Sequence, residues 1–535
     1  MGYYKSHNSL REEKVDGSLR ASPWEVAAER PEHTAIVFAD SGESRSYGEM
    51  IGNANRLAHR LVEDGVEVGD CISVFLENRV EYVEAVWAAK QLGVYYVCLP
   101  RGLTRSDAAY ILTNSASKVL ITSDTLGEVS NTLIKDAPAL RRGYMMGEAS
   151  PGFASYEAAL DGMPDTMFEG RPRGVSMLYS SGTTGRPKGI RHPITDVAPH
   201  VAPPRHEYLS KLFHFGPDTV FLNPGPFYHT APLRMMIHAQ RVGGTAVCFQ
   251  KFDAETVLRG IGTYGATCGM FVPTMFVRML DLPDYVKDAA DLGTMKVALH
   301  GAAPISPAIK DRMIDWWGDC ITEMYGGTES IGTTIIGAQD WKRHRGSVGK
   351  ASAITQIRIE GPDGEPCPPN KPGLVLMTQG KSFEYHGDPT KTAEATRGDH
   401  WATLGDIGYM DEDGYLYLTD RMSNLIISGG VNIYPQEAEN VIAGHPDVSD
   451  VAIIGLPDNE YGERVHAVVV PRGERAGDDA LAAQIIDFCR AEIGKIKTPR
   501  TIEFAPSLPR SEAGKILKKD LRQSVLNQRA GNKTD

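Results

Sequence analysis

Tyr179-Ser-Ser-Gly-Thr-Thr-Gly-Arg-Pro-Lys-Gly-Ile190 is the segment on which the reading of this chain turns. Twelve residues carry three glycines, four serine or threonine hydroxyls, Arg186 and Lys188. Glycines let a backbone approach a ligand closely, hydroxyl and N–H groups donate, and the two cations supply charge, a composition suited to wrapping phosphates. A Walker A loop needs four residues between its glycines and then Gly-Lys-Ser/Thr. Here Gly182 and Gly185 are closer than that, and Gly189 follows Lys188. The dinucleotide pattern Gly-x-Gly-x-x-Gly is absent too. A plain flexible linker would rarely include Arg-Pro-Lys.

Outward from this loop, the chain is long enough for two to four domains or subdomains, at 535 residues. Hydrophobic residues make up 41% and charged residues 23%, a globular profile. Lys and Arg number 56 against 68 Asp and Glu, so the net charge is −12 and nonspecific nucleic-acid binding is not expected. In such an acidic chain each cation inside a motif carries more meaning. Seven cysteines lie scattered without a Cys-x-x-Cys pair, which argues against a zinc site or a disulfide framework and fits reduced thiols in a cytoplasmic protein. No apolar run is long enough to span a membrane, and no signal peptide opens the chain.

Helical and strand-like runs alternate on both sides of the loop. Asn53–Val62 and Glu81–Lys90 have amphipathic helical spacing, and Cys71–Phe75, Val94–Leu99 and Lys118–Thr122 read as buried strands. Thr219–Leu222, Thr245–Phe249 and Lys296–Leu299 continue the rhythm, which predicts α/β architecture with parallel sheets. From about residue 355 short strands and Gly/Asp turns predict a β-rich subdomain. Asp411-Glu-Asp-Gly414 lacks the spacing of a calcium loop and reads as a hairpin turn. The last ~110 residues read as a small α/β module with strands at Val451–Ile454 and Val465–Val470, a helix over Ala480–Ile493 and a basic, frayed tail.

Further motifs follow the loop in order. Phe227-Tyr-His-Thr-Ala-Pro232 sets His229 after a Pro-Gly-Pro turn. His300-Gly-Ala-Ala-Pro304 follows a strand, where small residues leave room for a flat ligand. Tyr325-Gly-Gly-Thr-Glu-Ser330 offers a stacking face, a hydroxyl donor and a carboxylate suited to Mg²⁺. Asp406 suits a ribose diol, Arg421 follows fifteen residues later, and Lys515 succeeds a glycine near the C-terminus.

Taken together, these six motifs resemble those of the adenylate-forming enzymes: acyl- and aryl-CoA synthetases, luciferases and peptide-synthetase adenylation domains. The resemblance covers essentially the whole chain. It implies a large N-terminal domain (1–422) of two parallel-sheet α/β subdomains plus a β-rich subdomain, and a small mobile C-terminal α+β domain (423–535). It implies an AMP-forming acid–CoA ligase using ATP, Mg²⁺ and CoA. Ser180, Ser181, Gly182, Thr183, Thr184, Gly185 and Lys188 would close over the phosphates. Gly301, Ala302, Ala303, Tyr325 and Gly326 would hold adenine, Thr328 the α-phosphate, and Asp406 and Arg421 the ribose. Glu329 and Thr184 would bind Mg²⁺, and Lys515 would bridge the carboxylate and α-phosphate. Lys515, Thr184, Glu329 and His229 are therefore the catalytic candidates. The hinge would fall at Ser423, where the family commonly has Asp or Lys, and Asp420 stands where Gly is usual. After rotation Gly429 and Gly430 would line a pantetheine channel, while Lys497 and Arg500 would meet CoA phosphates.

His229, Met235, Thr274, His300 and Gly326 flank the motifs and are candidates for the acyl pocket. Met235, with Met236 and Phe271 nearby, suggests a hydrophobic acid, whether fatty, aryl, alicyclic or a steroid side chain. Loading of a carrier protein is the alternative to CoA; the chain runs only about twenty residues past Lys515, which favours free CoA. Luciferase-like oxidation and a non-catalytic nucleotide sensor are further rivals. A homodimer is compatible with this reading, and no membrane or nucleic-acid partner is expected.

Overall fold

The computed structural model describes residues 22–180, 187–203, 205–380, 382–398, 400–475, 477–510 and 515–531. Two sheets dominate the first three hundred residues or so. In one, six short strands pair in the order 154–155, 142–146, 119–123, 71–75, 95–98, 175–176, all parallel. The other has nine strands, ordered 350–351, 333–337, 321–326, 297–301, 268–271, 220–223, 245–248, 34–38, 44–46. Its six central strands are parallel and its edges antiparallel.

Between the sheets lie helices Tyr47–Glu63 and Val80–Leu92. The first starts on a capping box, Ser46 accepting from the Glu49 backbone while Glu49 reaches back, which satisfies amides that have no partner within the helix. The second is buried nearly all round, so it reads as a core helix and not a surface one. Val83, Trp87, Ile72 and Tyr96 share one core with Phe221, Met236 and Leu299 of the opposite layer. The predicted strands and helices therefore appear where alternation placed them, and the α/β class holds.

The β-rich part forms around Gly373–Thr378, Asp406–Met410 and Leu416–Arg421, with Asp411-Glu-Asp-Gly414 as the hairpin turn. After a 3₁₀ turn at Met422–Asn424 comes the small unit. Its long hairpin, Val448–Asp458 with Gly462–Pro471, is covered by helices Pro435–Ile442 and Asp479–Lys497. The expected basic tail is instead a helix, Lys518–Gly531. Leu521 and Val525 pack it onto Ala452, Ile454 and Leu456, and Arg522 Nε donates to the Gly455 carbonyl at 2.7 Å.

Candidate active site

The crevice forms where strand ends from three sheets meet. In the large sheet, strand Val297–Gly301 lies beside Ile321–Gly326, with Gly301 level with Met324. A Cβ on Gly301 would come within 2.3 Å of the Met324 carbonyl oxygen, so only glycine allows that approach. Ala302 then turns through a left-handed φ of 68°, a conformation that a non-glycine residue adopts at some strain.

Tyr325, Asp406 and Arg421 form one hydrogen-bonded unit. Asp406 and Arg421 face each other across an antiparallel pair. The Tyr325 hydroxyl donates to Asp406 Oδ2 at 2.6 Å, and Arg421 Nε donates to Oδ1 at 3.1 Å. Burial and the Asp406 carboxylate raise the Tyr325 phenol well above its ordinary pKa, so it stays a donor. Burial opposes the Arg421 charge, but Asp406, Tyr325 and Glu329 together raise its pKa.

Glu329 lies close by, its Oε1 accepting from the Tyr385 hydroxyl at 2.9 Å. The Lys188 ammonium sits 5.2 Å from the centre of the same Tyr385 ring. Lys188 begins strand Lys188–Arg191, paired with Leu178–Ser180 and with Glu384–Tyr385. Tyr385 thus joins the phosphate-loop lysine to the metal-site candidate. Sequence reading missed it because nothing local marks a tyrosine two hundred residues away. Ser181, Gly182, Thr183, Thr184 and Gly185 lie outside the described residues, as does the Ser180 side chain.

Helix Thr230–Arg241 points its N-terminus at the same place. His229 is its N-cap, and Thr230 Oγ1 donates to Thr328 Oγ1 at 3.1 Å. No hydrogen bond reaches His229 Nε2 among the described residues. Burial, and then Lys515, bring the His229 pKa down to about 4, so its ring is neutral at physiological pH.

Lys515 belongs to the small unit and precedes Ile516, which forms an isolated antiparallel bridge with Arg510. It keeps accessible surface, yet burial, and then Arg421, pull its ammonium below the ordinary range, against Asp406 and Glu329. Solvent contact combined with desolvation describes a side chain that projects into a crevice. Lys515, Arg421, Asp406, Glu329 and His229 therefore share one electrostatic environment.

Elsewhere the placements differ from expectation. His300 is fully buried, its ring 5.4 Å from Phe276, on the face of the sheet that carries Phe271 and Trp317. Met235 is buried among residues of the opposite layer, so the two acyl-pocket candidates are not brought together. Thr274 is partly buried in helix Pro273–Leu280. Gly326 is exposed, and a Cβ there would meet the Gly332 carbonyl oxygen at 2.9 Å. Lys497 pairs with Glu437 at 2.7 Å, and Arg500 lies 3.7 Å over the Tyr461 ring. Gly430 is exposed with φ 79° and open space where a Cβ would be, beside exposed Ile427 and Val431. Asp420 accepts from the Arg421 amide at 2.6 Å, Asn424 Nδ2 at 2.9 Å and the Gln436 amide at 3.0 Å, tying the turn at Ser423 to the first helix of the small unit. Arg472 of that unit also pairs with Asp281 at 2.9 Å.

Lys188, Tyr325, Asp406, Arg421 and Glu329 gather with an incoming Lys515 where the sheets meet, as expected of an adenylate-forming enzyme. The comparisons agree: residues 23–383 match the AMP-binding enzyme model and residues 437–515 the AMP-binding enzyme C-terminal domain model, so the chain belongs to the AMP-binding enzyme family. It is 32% identical over 510 residues to a feruloyl-CoA synthase from Amycolatopsis sp, covering 94% of this chain and 98% of that one. It is 31% identical over 506 residues to the long-chain-fatty-acid–CoA ligase FadD13 from Mycobacterium tuberculosis, covering 92% and 95%. ATP-bound MatB from Rhodopseudomonas palustris superimposes with a TM-score of 0.82 at 28% identity, over 95% of this chain and 99% of the other. Among the described residues no helix is long and apolar enough to cross a membrane.

Proposed function

We propose that the protein is an AMP-forming acid–CoA ligase, converting a carboxylic acid with an apolar body to its acyl-adenylate and then to an acyl-CoA. The observation that carries this reading is the convergence of Lys515, Arg421, Asp406 and Glu329 on one desolvated crevice. A carboxylate is a poor electrophile; adenylation gives it a leaving group. In-line attack of the carboxylate oxygen on the α-phosphorus brings two anions together and expels pyrophosphate. That step needs charge neutralisation and positioning more than proton transfer. Lys515 bridges the two anions, Thr328 donates to the α-phosphate, and Lys188 with the loop holds the departing phosphates. Tyr325 and the Gly301–Ala303 backbone flank adenine, and Asp406 with Arg421 hold the ribose.

Glu329 fits Mg²⁺: Tyr385 occupies Oε1, and Mg²⁺ is commonly held by one or two carboxylates together with substrate phosphates. Thr184 would assist. When bound, the ion neutralises charge on the departing pyrophosphate. Neutral His229 guards the mouth of the acyl pocket without adding a positive charge.

For the second step the boundary at 422/423 is the hinge, and the small domain turns Gly429 and Gly430 toward the crevice. The open space and positive φ at Gly430, and the exposed Ile427 and Val431 beside it, support a surface that is covered in another arrangement. Lys497 and Arg500 contact CoA phosphates only after leaving Glu437 and Tyr461.

AMP release from ATP, measured over a panel of carboxylic acids with and without CoA, tests the assignment. CoA-dependent AMP formation with one acid class supports it. Pyrophosphate release that CoA leaves unchanged redirects the acyl group to a carrier protein.

A further inference from the structure

Helix Thr230–Arg241 begins in the nucleotide crevice and leads away from it. One turn after Thr230 meets Thr328, Arg234 Nη1 donates to Ser330 Oγ at 2.7 Å. The same face continues through His238 to Arg241, since residues three and four apart stack along a helix. At 1.5 Å per residue, Arg234 lies about 6 Å and Arg241 about 16 Å along the axis from Thr230.

Other cations gather on this face from distant parts of the chain. Lys90 ends helix Val80–Leu92, its ammonium 5.2 Å from the Tyr96 ring centre. The Arg241 guanidinium sits 5.3 Å from the Trp87 ring and donates to the Pro199 carbonyl at 3.2 Å. Arg173 donates to the Val201 carbonyl at 2.9 Å, and Arg205 feels the charge of Arg234. Burial together with Arg241, Arg173 and Arg234 holds Lys90 well below its ordinary pKa. Burial and Arg173 bring Arg241 down to about 9. Among the described residues no carboxylate offsets Lys90, Arg173, Arg205 or Arg234. Arg234 keeps solvent-accessible surface, so the row of cations is open at that end.

Crowding like charges together without a counter-ion is unfavourable, and a cluster that tolerates it is suited to receiving an anion. The planar fork of an arginine matches a carboxylate with two parallel hydrogen bonds. We propose that these cations line a recess that is the receptor for a second anionic group on the acid, so that the enzyme activates acids carrying a distal carboxylate on an apolar body. The inference rests on the ligase reading and refines its substrate class, replacing a wholly hydrophobic acid with a dianionic one. Tyr96 and Trp87 supply apolar walls beside the cations.

The test is ATP–pyrophosphate exchange by the full chain without CoA, using pairs of straight-chain and aryl acids. Within each pair one acid ends in a methyl group and its length-matched partner in a carboxylate. The dicarboxylic member should be favoured in kcat/KM by at least about thirtyfold, as for loss of one partner of a buried charge pair. Arg234→Met should erase most of that ratio and Arg234→Lys should restore part of it. Because the ratio is taken within one variant, partial misfolding cancels. Preference for the methyl-ended acids by the parent enzyme, or equal loss on both acids in Arg234→Met, overturns the proposal while leaving the ligase reading standing. An Arg234→Met effect confined to the KM for CoA, read from AMP release in the complete reaction with CoA, also overturns it, assigning the recess to a CoA phosphate. Absence of exchange with every acid overturns the ligase reading itself.

Discussion

Replacing Asp406 by Asn tests the nucleotide site most directly, because one buried carboxylate holds two groups on which the site depends. Its two oxygens accept the Tyr325 hydroxyl at 2.6 Å and Arg421 Nε at 3.1 Å. Asparagine keeps one carbonyl acceptor and loses the charge, so one of these bonds goes and Arg421 loses the leading charge that favours it. A hydrogen bond to a charged group contributes about 1.5–3 kcal/mol. Releasing Tyr325 or Arg421 adds about 0.5–1.5 kcal/mol when ATP must order it again. The sum, about 2–4.5 kcal/mol, corresponds to roughly a thirty- to sixteen-hundred-fold fall in kcat/KM for ATP at 1.4 kcal/mol per tenfold. Tyr325→Phe removes only the hydroxyl and should lose less. Steady-state kinetics in ATP at saturating acid and CoA measures both. A change below threefold in Asp406→Asn, or a larger loss in Tyr325→Phe, would show that this carboxylate does not organise the site.

Lys515→Ala should abolish adenylate formation, a loss of at least about a hundredfold, yet spare CoA transfer from a supplied acyl-adenylate; equal loss in both half-reactions would rule out a separate role in the first. Gly430→Leu should do the reverse by filling the channel and straining a φ of 79°, and unchanged acyl-CoA output would remove it from that channel. Burial brings His238 down to about 3 and His466 to about 4, so below their unfolded pKa near 6.5 the unfolded chain binds protons that the native one refuses. Stability should therefore fall as the pH drops from about 6.5 toward 4, by roughly 2 kcal/mol per histidine at pH 5. His466→Gln should flatten the thermal midpoint against pH over that window, and a slope equal to the parent's would contradict the assignment.

The strands and nucleotide motifs were legible because their signals are local. Cys71–Phe75 is an apolar run of strand length, and Tyr325-Gly-Gly-Thr-Glu is a contiguous set of stacking, donor and carboxylate groups. The helix Lys518–Gly531 was not, since its polar sequence shows only a thin apolar stripe and it gains from Leu521 and Val525 meeting a hairpin sixty residues away. His300 was misjudged for a different reason. A strand sends alternate residues to opposite faces, and sequence alone does not say which face carries the ligand. The cation recess was invisible because Lys90, Arg173, Arg205, Arg234 and Arg241 come from four segments that only the fold unites.

Asp420, unremarkable as an acidic residue in a strand end, has a consequence for the order of events. Its bonds to Arg421, Asn424 and the Gln436 amide span the turn proposed as the hinge. With Lys515 turned inward, all three bonds are made at once. On the proposed cycle, a swing at 422/423 loads the Asn424 and Gln436 bonds, which cross the hinge, while the Arg421 bond stays on the large-domain side. On the proposed cycle these bonds hold the arrangement that activates the acid, and the thiol acts after they have yielded. The carboxylate works as a clutch, engaged by default, and a substitution there would alter the timing of the cycle without touching any reacting atom.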